Sequence, residues 1–257
     1  YKPAVYETLR GIRMPDGIAT YHINGVDYIV TANEGDSREW GEYLNEDERN
    51  FGKGETSPTG KITAENSGLT GKVVFFDSSD YDGLDSEFDY LFGGRSFTVF
   101  KADEQGLTEI YTSGNEFEAK TAGYELEHFN CSNDNNDIDD RSGKKGVEAE
   151  NVTIGNVGEK IYAFIGLERI GGVMMYDVTN PEKISYANYI NSRDFSADIA
   201  GDDSPEGLCF ISESESVDGN AHLLTACEVS GTVASYELTA RKTEDQGNEQ
   251  DSDNGQD

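Results

Sequence analysis

One pattern recurs three times along this chain, and it restricts the fold more than any other feature. An acidic residue opens an apolar segment, a turn follows, and a second apolar segment closes on a glutamate. The first copy runs from Pro15-Asp16-Gly17-Ile18 to Ala32-Asn33-Glu34-Gly35-Asp36. The second runs from Ala149-Glu150-Asn151-Val152 to Gly166-Leu167-Glu168-Arg169, and the third from Pro205-Glu206-Gly207-Leu208 to Ala226-Cys227-Glu228-Val229. Acid and glutamate stand 18 residues apart in the first two copies (16 to 34, 150 to 168) and 22 apart in the third (206 to 228). Ile18 to Ile23, Asn24-Gly25 and Tyr28 to Ala32 read as strand, turn and strand, Asn-Gly being a strong hairpin signal. In the second copy, Gly172 to Val178 and Ile184 to Ile190 add two strands around the turn residues Thr179-Asn180-Pro181. Four antiparallel strands in about 40 residues is the unit of a β-propeller. The expected fold is therefore all-β, a β-propeller part over 1–240 with four blades near 14–49, 62–115, 150–191 and 205–239. Residues 39–71 are expected as an inserted loop. Phe117, Ala122, Leu126 and Phe129 recur at helical spacing, which predicts a short helix over 116–129. Residues 241–257 contain no aliphatic or aromatic residue and read as a disordered acidic tail.

The hairpin plan brings the repeated acids together. The opening acid precedes the first strand and the glutamate ends the second, so an antiparallel pairing sets them side by side. Repetition about a propeller axis would ring one mouth with Asp16, Glu34, Glu150, Glu168, Glu206 and Glu228. Crowded carboxylates repel, and partial burial raises that cost. A bound cation relieves it, and so do interleaved arginines; Arg38, Arg169 and Arg193 follow the motifs closely and are candidate anion-binding residues as well. Two further loops are rich in oxygen ligands. Asp80, Asp82, Asp85 and Glu87 surround Gly83, and Asp134, Asp137 and Asp139 lie in an Asn/Asp run. Calcium takes six to eight oxygens, so both loops are candidate calcium ligand sets, as are the six mouth acids; another divalent metal is also possible.

Charge excludes several functions. The chain carries 51 Asp and Glu against 20 Lys and Arg, a net of -31, which repels nucleic acid and anionic lipid and attracts divalent cations and basic partners. No run of 18 apolar residues is present to span a membrane. His22, His128 and His222 are scattered, without zinc spacing, and no G-x-S-x-G, P-loop or dinucleotide fingerprint occurs. Three cysteines are too few for a disulfide scaffold; Cys209 and Cys227 either pair across neighbouring strands or remain two buried thiols.

These motifs together resemble the choice-of-anchor I family of bacterial surface proteins, with relatives among mesenchyme-specific cell-surface glycoproteins. Met14 to Ala19, Thr31 to Arg38, Phe92 to Phe97, Gly166 to Val173, Tyr189 to Phe195, Pro205 to Leu208 and Glu228 to Thr232 carry the resemblance. Where the family has Gly-Pro-Glu-Pro-Glu-Gly, this chain has Gly146-Val147-Glu148-Ala149-Glu150-Asn151, keeping the acids. The resemblance implies an extracellular protein held at the cell surface by an anchor beyond the C-terminus, with the acidic tail as a spacer. It also implies the C-terminal half of a propeller of about seven blades. The missing half, or another copy of the chain, would then cover the end blades around Ile18–Ala32 and Leu208–Ala226. Two functions follow: a calcium-binding surface module or, since some members are labelled alkaline phosphatases, a metal-dependent phosphoesterase at the propeller mouth. In the second, the mouth glutamates would hold the metal, with Arg38 and Arg169 clamping phosphate.

Overall fold

The computed structural model describes residues 2–79 and 81–240, so the candidate ligand Asp80 and the tail 241–257 lie outside the described residues. The chain is all-β, built mainly from four sheets. Sheet I orders Leu9–Ile12, Asp89–Phe92, Lys72–Phe76 and Glu46–Asn50, with Leu9–Ile12 parallel to Asp89–Phe92. Sheet II orders Gly106–Thr112, Ser96–Asp103, Val26–Asn33 and Ile18–Ile23. Sheet III holds Ala149–Val157, Lys160–Leu167, Val173–Asp177 and Ser185–Ile190 in chain order. Sheet IV holds Pro205–Ile211, Ala221–Cys227 and Thr232–Leu238.

Sheets III and IV follow the strand order read from the sequence, whereas the first two sheets exchange partners. The hairpin of Ile18–Ile23 and Val26–Asn33 does not continue into 39–49. It is completed by Ser96–Asp103, with Asp27 opposite Ala102 through Asn33 opposite Ser96. Local alternation specifies that a strand exists but not which distant strand completes its ladder. The segment 39–71 is likewise more than a loop. Its Glu46–Asn50, with the sequence Glu-Asp-Glu-Arg-Asn, pairs with Lys72–Phe76. A charged edge strand has no apolar alternation to announce it, and charge at an edge discourages pairing with another chain. Phe51 and Ile62, from the same segment, bury against Phe75. Within 116–129 the chain forms the α-helix Glu116–Tyr124 and a 3-10 turn, Leu126–His128. Phe117 seats the helix against Phe97 and Tyr176.

Sheet III lies between sheets II and IV. Along Lys160–Leu167, Ala163, Ile165 and Leu167 join Val30, Phe97 and Val99 of sheet II in one core. The alternate Phe164, with Tyr162 beside it, joins Leu208, Phe210 and Leu223 of sheet IV in a second core. A strand buried on both faces reads as an unbroken apolar run, here Ile161 to Leu167. Each large side chain so buried contributes roughly 1.5–3 kcal/mol. The Ile18–Asn33 hairpin packs against Ala149–Val157. Cys227 is buried opposite Pro205, while exposed Cys209 lies opposite Leu224, so the two thiols do not meet and both are free.

Candidate metal centre

The repeated acids meet near the ends of the hairpins, but not in the directly opposed register that the repeat predicts. Ala149 pairs with Leu167 and Pro205 with Cys227, so Glu148 rather than Glu150 stands opposite Glu168, and Ser204 rather than Glu206 stands opposite Glu228. Glu150 and Glu206 still lie near enough to feel the charges of Glu168 and Glu228. Both first strands carry a one-residue register shift at that point, between Ala149 and Val152 and between Pro205 and Gly207. A bulge turns the local side chain off the regular pleat, so the same device re-aims both opening acids. The first repeat reaches the place by close backbone approach. Gly17 donates its N–H to the Glu150 carbonyl at 3.0 Å. A Cβ on Gly17 would lie 2.7 Å from the Asn151 Cα, so only glycine lets Asp16 arrive beside Glu150.

Ligand atoms of Asp16, Glu34 and Glu150 all lie within 4.8 Å of one another, as do those of Glu34, Glu148 and Glu168. Glu34 is common to both triads. The inner triad contains the protein's own cations. Lys145 Nζ is 2.6 Å from Glu34 Oε1 and 2.8 Å from Glu148 Oε2. Arg169 Nε is 3.0 Å from Glu148 Oε1, its Nη1 is 3.1 Å from Glu168 Oε1, and Arg141 pairs with Glu148. Lys145 and Glu148 occupy left-handed backbone conformations, φ +62° and +52°, which are strained for non-glycine residues and turn both into the cluster. The outer triad differs. Among the described residues, no Lys, Arg or His lies within 4.0 Å of the Asp16, Glu150, Glu206 or Glu228 carboxylates.

The electrostatics divide the same way. Burial would raise Glu148, which is fully enclosed, but the Arg169 hydrogen bond and the Lys145, Arg169 and Arg141 charges outweigh it and hold its pKa at about 2. Burial raises Glu150 to about 9, helped by the charges of Glu34, Glu206, Glu168 and Asp16. Burial and the Glu148 charge raise Glu168 to about 8 against the pull of Arg169. Burial and Glu228 raise Glu206 to about 6. Seven carboxylates therefore share three cationic side chains, and the deficit falls on the Glu150 side. Three to five convergent carboxylates with a charge deficit suit a hard divalent cation, which takes oxygen ligands.

Of the other sequence candidates, Arg169 belongs to this centre as one of its cations, and the rest lie apart from the two triads. Arg169 is engaged by Glu148, Glu168 and Asn133. Arg193 is buried, 3.3 Å from Asp203, and donates to the carbonyls of Ser132, Arg169, Asn135 and Asp198. Both guanidinium groups thus serve the protein's own oxygens, which weighs against a phosphate clamp. Arg38 is exposed and lies 5.4 Å over the Tyr81 ring. Asp82 lies in the exposed 81–87 loop, Asp85 Oδ1 accepts from the Glu87 N–H, and Glu87 pairs with Lys61. Asp134 and Asp137 are exposed, and Asp139 accepts from Ser142. Among the described residues, neither loop brings three carboxylates within 4.8 Å of one another. The second loop reaches the centre through Asn133, which donates to Glu168 Oε1 at 2.9 Å. Lys145, Arg141 and Asn133 lie outside every repeat. Glu148 sits two residues before Glu150 and is the other acid kept in the Gly146–Asn151 stretch, but it falls outside the three-fold repeat.

The wider pattern around this centre matches a known domain: residues 3–181 fit the family model of the choice-of-anchor I domain. The chain belongs to the choice-of-anchor I family. This choice-of-anchor I chain is 26% identical over 208 residues to the mesenchyme-specific cell surface glycoprotein of Strongylocentrotus purpuratus, covering 67% of this chain and 27% of that protein. It is 33% identical over 92 residues to Gigasin-3a of Magallana gigas, covering 34% of this chain and 32% of that one. The matched stretches span about a third or less of the length of these relatives. Among the described residues, no helix is long and apolar enough to cross a membrane.

Proposed function

We propose that this choice-of-anchor I chain is a calcium-binding module of an extracellular, cell-surface protein, and that its four main sheets are blades of a β-propeller. The observation that carries the reading is the outer triad: Asp16, Glu34 and Glu150 converge within 4.8 Å, on the side of the cluster where the protein supplies no cation of its own to Asp16 or Glu150. Glu206 and Glu228 stand beside it to extend the oxygen shell. The net charge of -31 favours accumulation of divalent ions at the surface. The family assignment, and a relative whose name is that of a cell surface glycoprotein, support the location. The face-to-face stacking of sheets II, III and IV supports the propeller.

Affinity is expected in the extracellular range, on the order of 10⁻⁴–10⁻³ M. An ion that binds only the native state at 10 to 100 times its dissociation constant stabilises it by about 1.5–3 kcal/mol. For a chain of this size that is roughly 3–10 °C in melting temperature. Melting the protein with 10 mM calcium and with chelator at equal ionic strength checks this, alongside the Glu150→Gln variant. A melting temperature indifferent to calcium in the wild type, or an equal rise in the variant, sinks the assignment.

A further inference from the structure

Apart from the metal centre, the most exposed aromatic surface lies on a small hairpin, Glu39–Trp40 paired with Tyr43–Leu44. Gly41, at φ +63°, makes the turn. Trp40 stands opposite Tyr43 in the register, so their side chains share one face. Trp40 is the chain's sole tryptophan and is 84% exposed, with Tyr43 40% and Leu44 48% exposed. Phe97, Phe117, Phe164 and Tyr176 are buried in the cores, and the other exposed ring, Tyr124 at 59%, is packed edge-on against Tyr189. The hairpin joins none of the four main sheets, and an isolated two-stranded hairpin is marginal in water. Tryptophan and tyrosine on a projecting element are the residue types that anchor protein interfaces.

The surrounding charge selects the partner. Glu39 and Glu42 belong to the hairpin, and no Lys or Arg lies between 39 and 44. An exposed indole with Glu39 and Glu42 beside it in the chain attracts guanidinium and ammonium groups through the ring quadrupole and through charge. The same field repels phosphate-bearing surfaces. We propose that the Glu39–Leu44 hairpin docks a basic polypeptide segment, with arginine or lysine side chains laid on Trp40 and held by Glu39 and Glu42. The neighbouring Arg38 over Tyr81 is the same type of contact made within the chain.

The sole tryptophan makes the test direct. The full chain is titrated with a short peptide of alternating arginine and serine, in chelator so that metal binding plays no part. At about 0.15 M salt, long-range attraction is screened and contact binding remains. A saturable change in Trp40 emission is expected. By calorimetry, Trp40→Ala weakens the peptide about tenfold. The Glu39→Gln/Glu42→Gln variant, which keeps the reporter, weakens it comparably. Equal affinity for Trp40→Ala, or unchanged Trp40 emission at saturation, overturns the proposal. So does Trp40-dependent self-association without peptide, or preferential binding to phosphatidylserine vesicles.

Discussion

Glu148 and Glu150 are two residues apart and hold opposite charge states for opposite reasons. Glu148 is enclosed with Lys145, Arg141 and Arg169 around it, and they keep it ionised. Glu150 is surrounded by Glu34, Glu206, Glu168 and Asp16, and burial with their charge keeps its proton on near neutral pH. Substitution should separate them. Glu148→Gln leaves three cations around a neutral amide, and breaking a buried pair in this way is expected to destabilise by roughly 3–5 kcal/mol. Glu150→Gln removes a charge the native state resists. Without metal, it is expected to leave stability unchanged or raise it at pH 8, while abolishing the calcium response. Urea denaturation of both variants, with and without calcium, reads the two signs. Equal losses in chelator would show that the two carboxylates are not electrostatically distinct.

The hairpins were legible in the sequence because strand alternation and turn residues are local signals; the centre's second component was not. Asp16, Glu34, Glu150, Glu168, Glu206 and Glu228 fall at equivalent ends of the repeated hairpins, and the structure gathers them. Lys145 and Arg141 come from the connection between sheets II and III, and Asn133 from an Asp-rich loop whose own acids stay outside. No repeat marks these residues, because their role depends on where a long connection crosses the carboxylate cluster. The bulges at Glu150 and Glu206 are likewise invisible in composition, being a one-residue mismatch between two strands. Arg193 reads in the sequence as a candidate anion-binding residue because it follows the acidic motifs closely. It is instead the pin that ties 132–136, Arg169 and 198–203 together. Arg193→Met strips those carbonyls and Asp203 of their donor, and a loss of roughly 3–5 kcal/mol is expected. Hydrogen exchange should then quicken first in 131–140 and 191–204. Uniform quickening across all four sheets would instead mean that Arg193 supports the whole fold rather than these connections.

At the scale of the whole molecule, pH, net charge and the proposed calcium binding act on one equilibrium. The unfolded glutamate titrates near 4.5, whereas Glu150, Glu168 and Glu206 are raised in the native state to about 9, 8 and 6. Between those limits the native state binds more protons than the unfolded state. Stability contributed by these groups is therefore complete below pH 4.5 and is lost as pH rises through their native pKa values. Glu148 has the opposite sign, and its contribution is lost as pH falls from 4.5 towards 2. In chelator, maximal stability is accordingly expected in mildly acid solution, with a decline through neutrality to pH 9. General repulsion at a net charge of -31 also opposes the compact state, but added sodium chloride screens it. On the proposed reading, calcium at the outer triad must displace the Glu150 proton. Its binding should tighten with pH, release protons near pH 7, and flatten the alkaline decline beyond the effect of sodium chloride at the same ionic strength. Calorimetry in two buffers of different ionisation enthalpy measures the released protons, and melting curves from pH 4 to 9 measure the slope. A calcium effect that sodium chloride reproduces, with no proton release, would place the ion in the diffuse atmosphere of an acidic surface rather than among Asp16, Glu34 and Glu150.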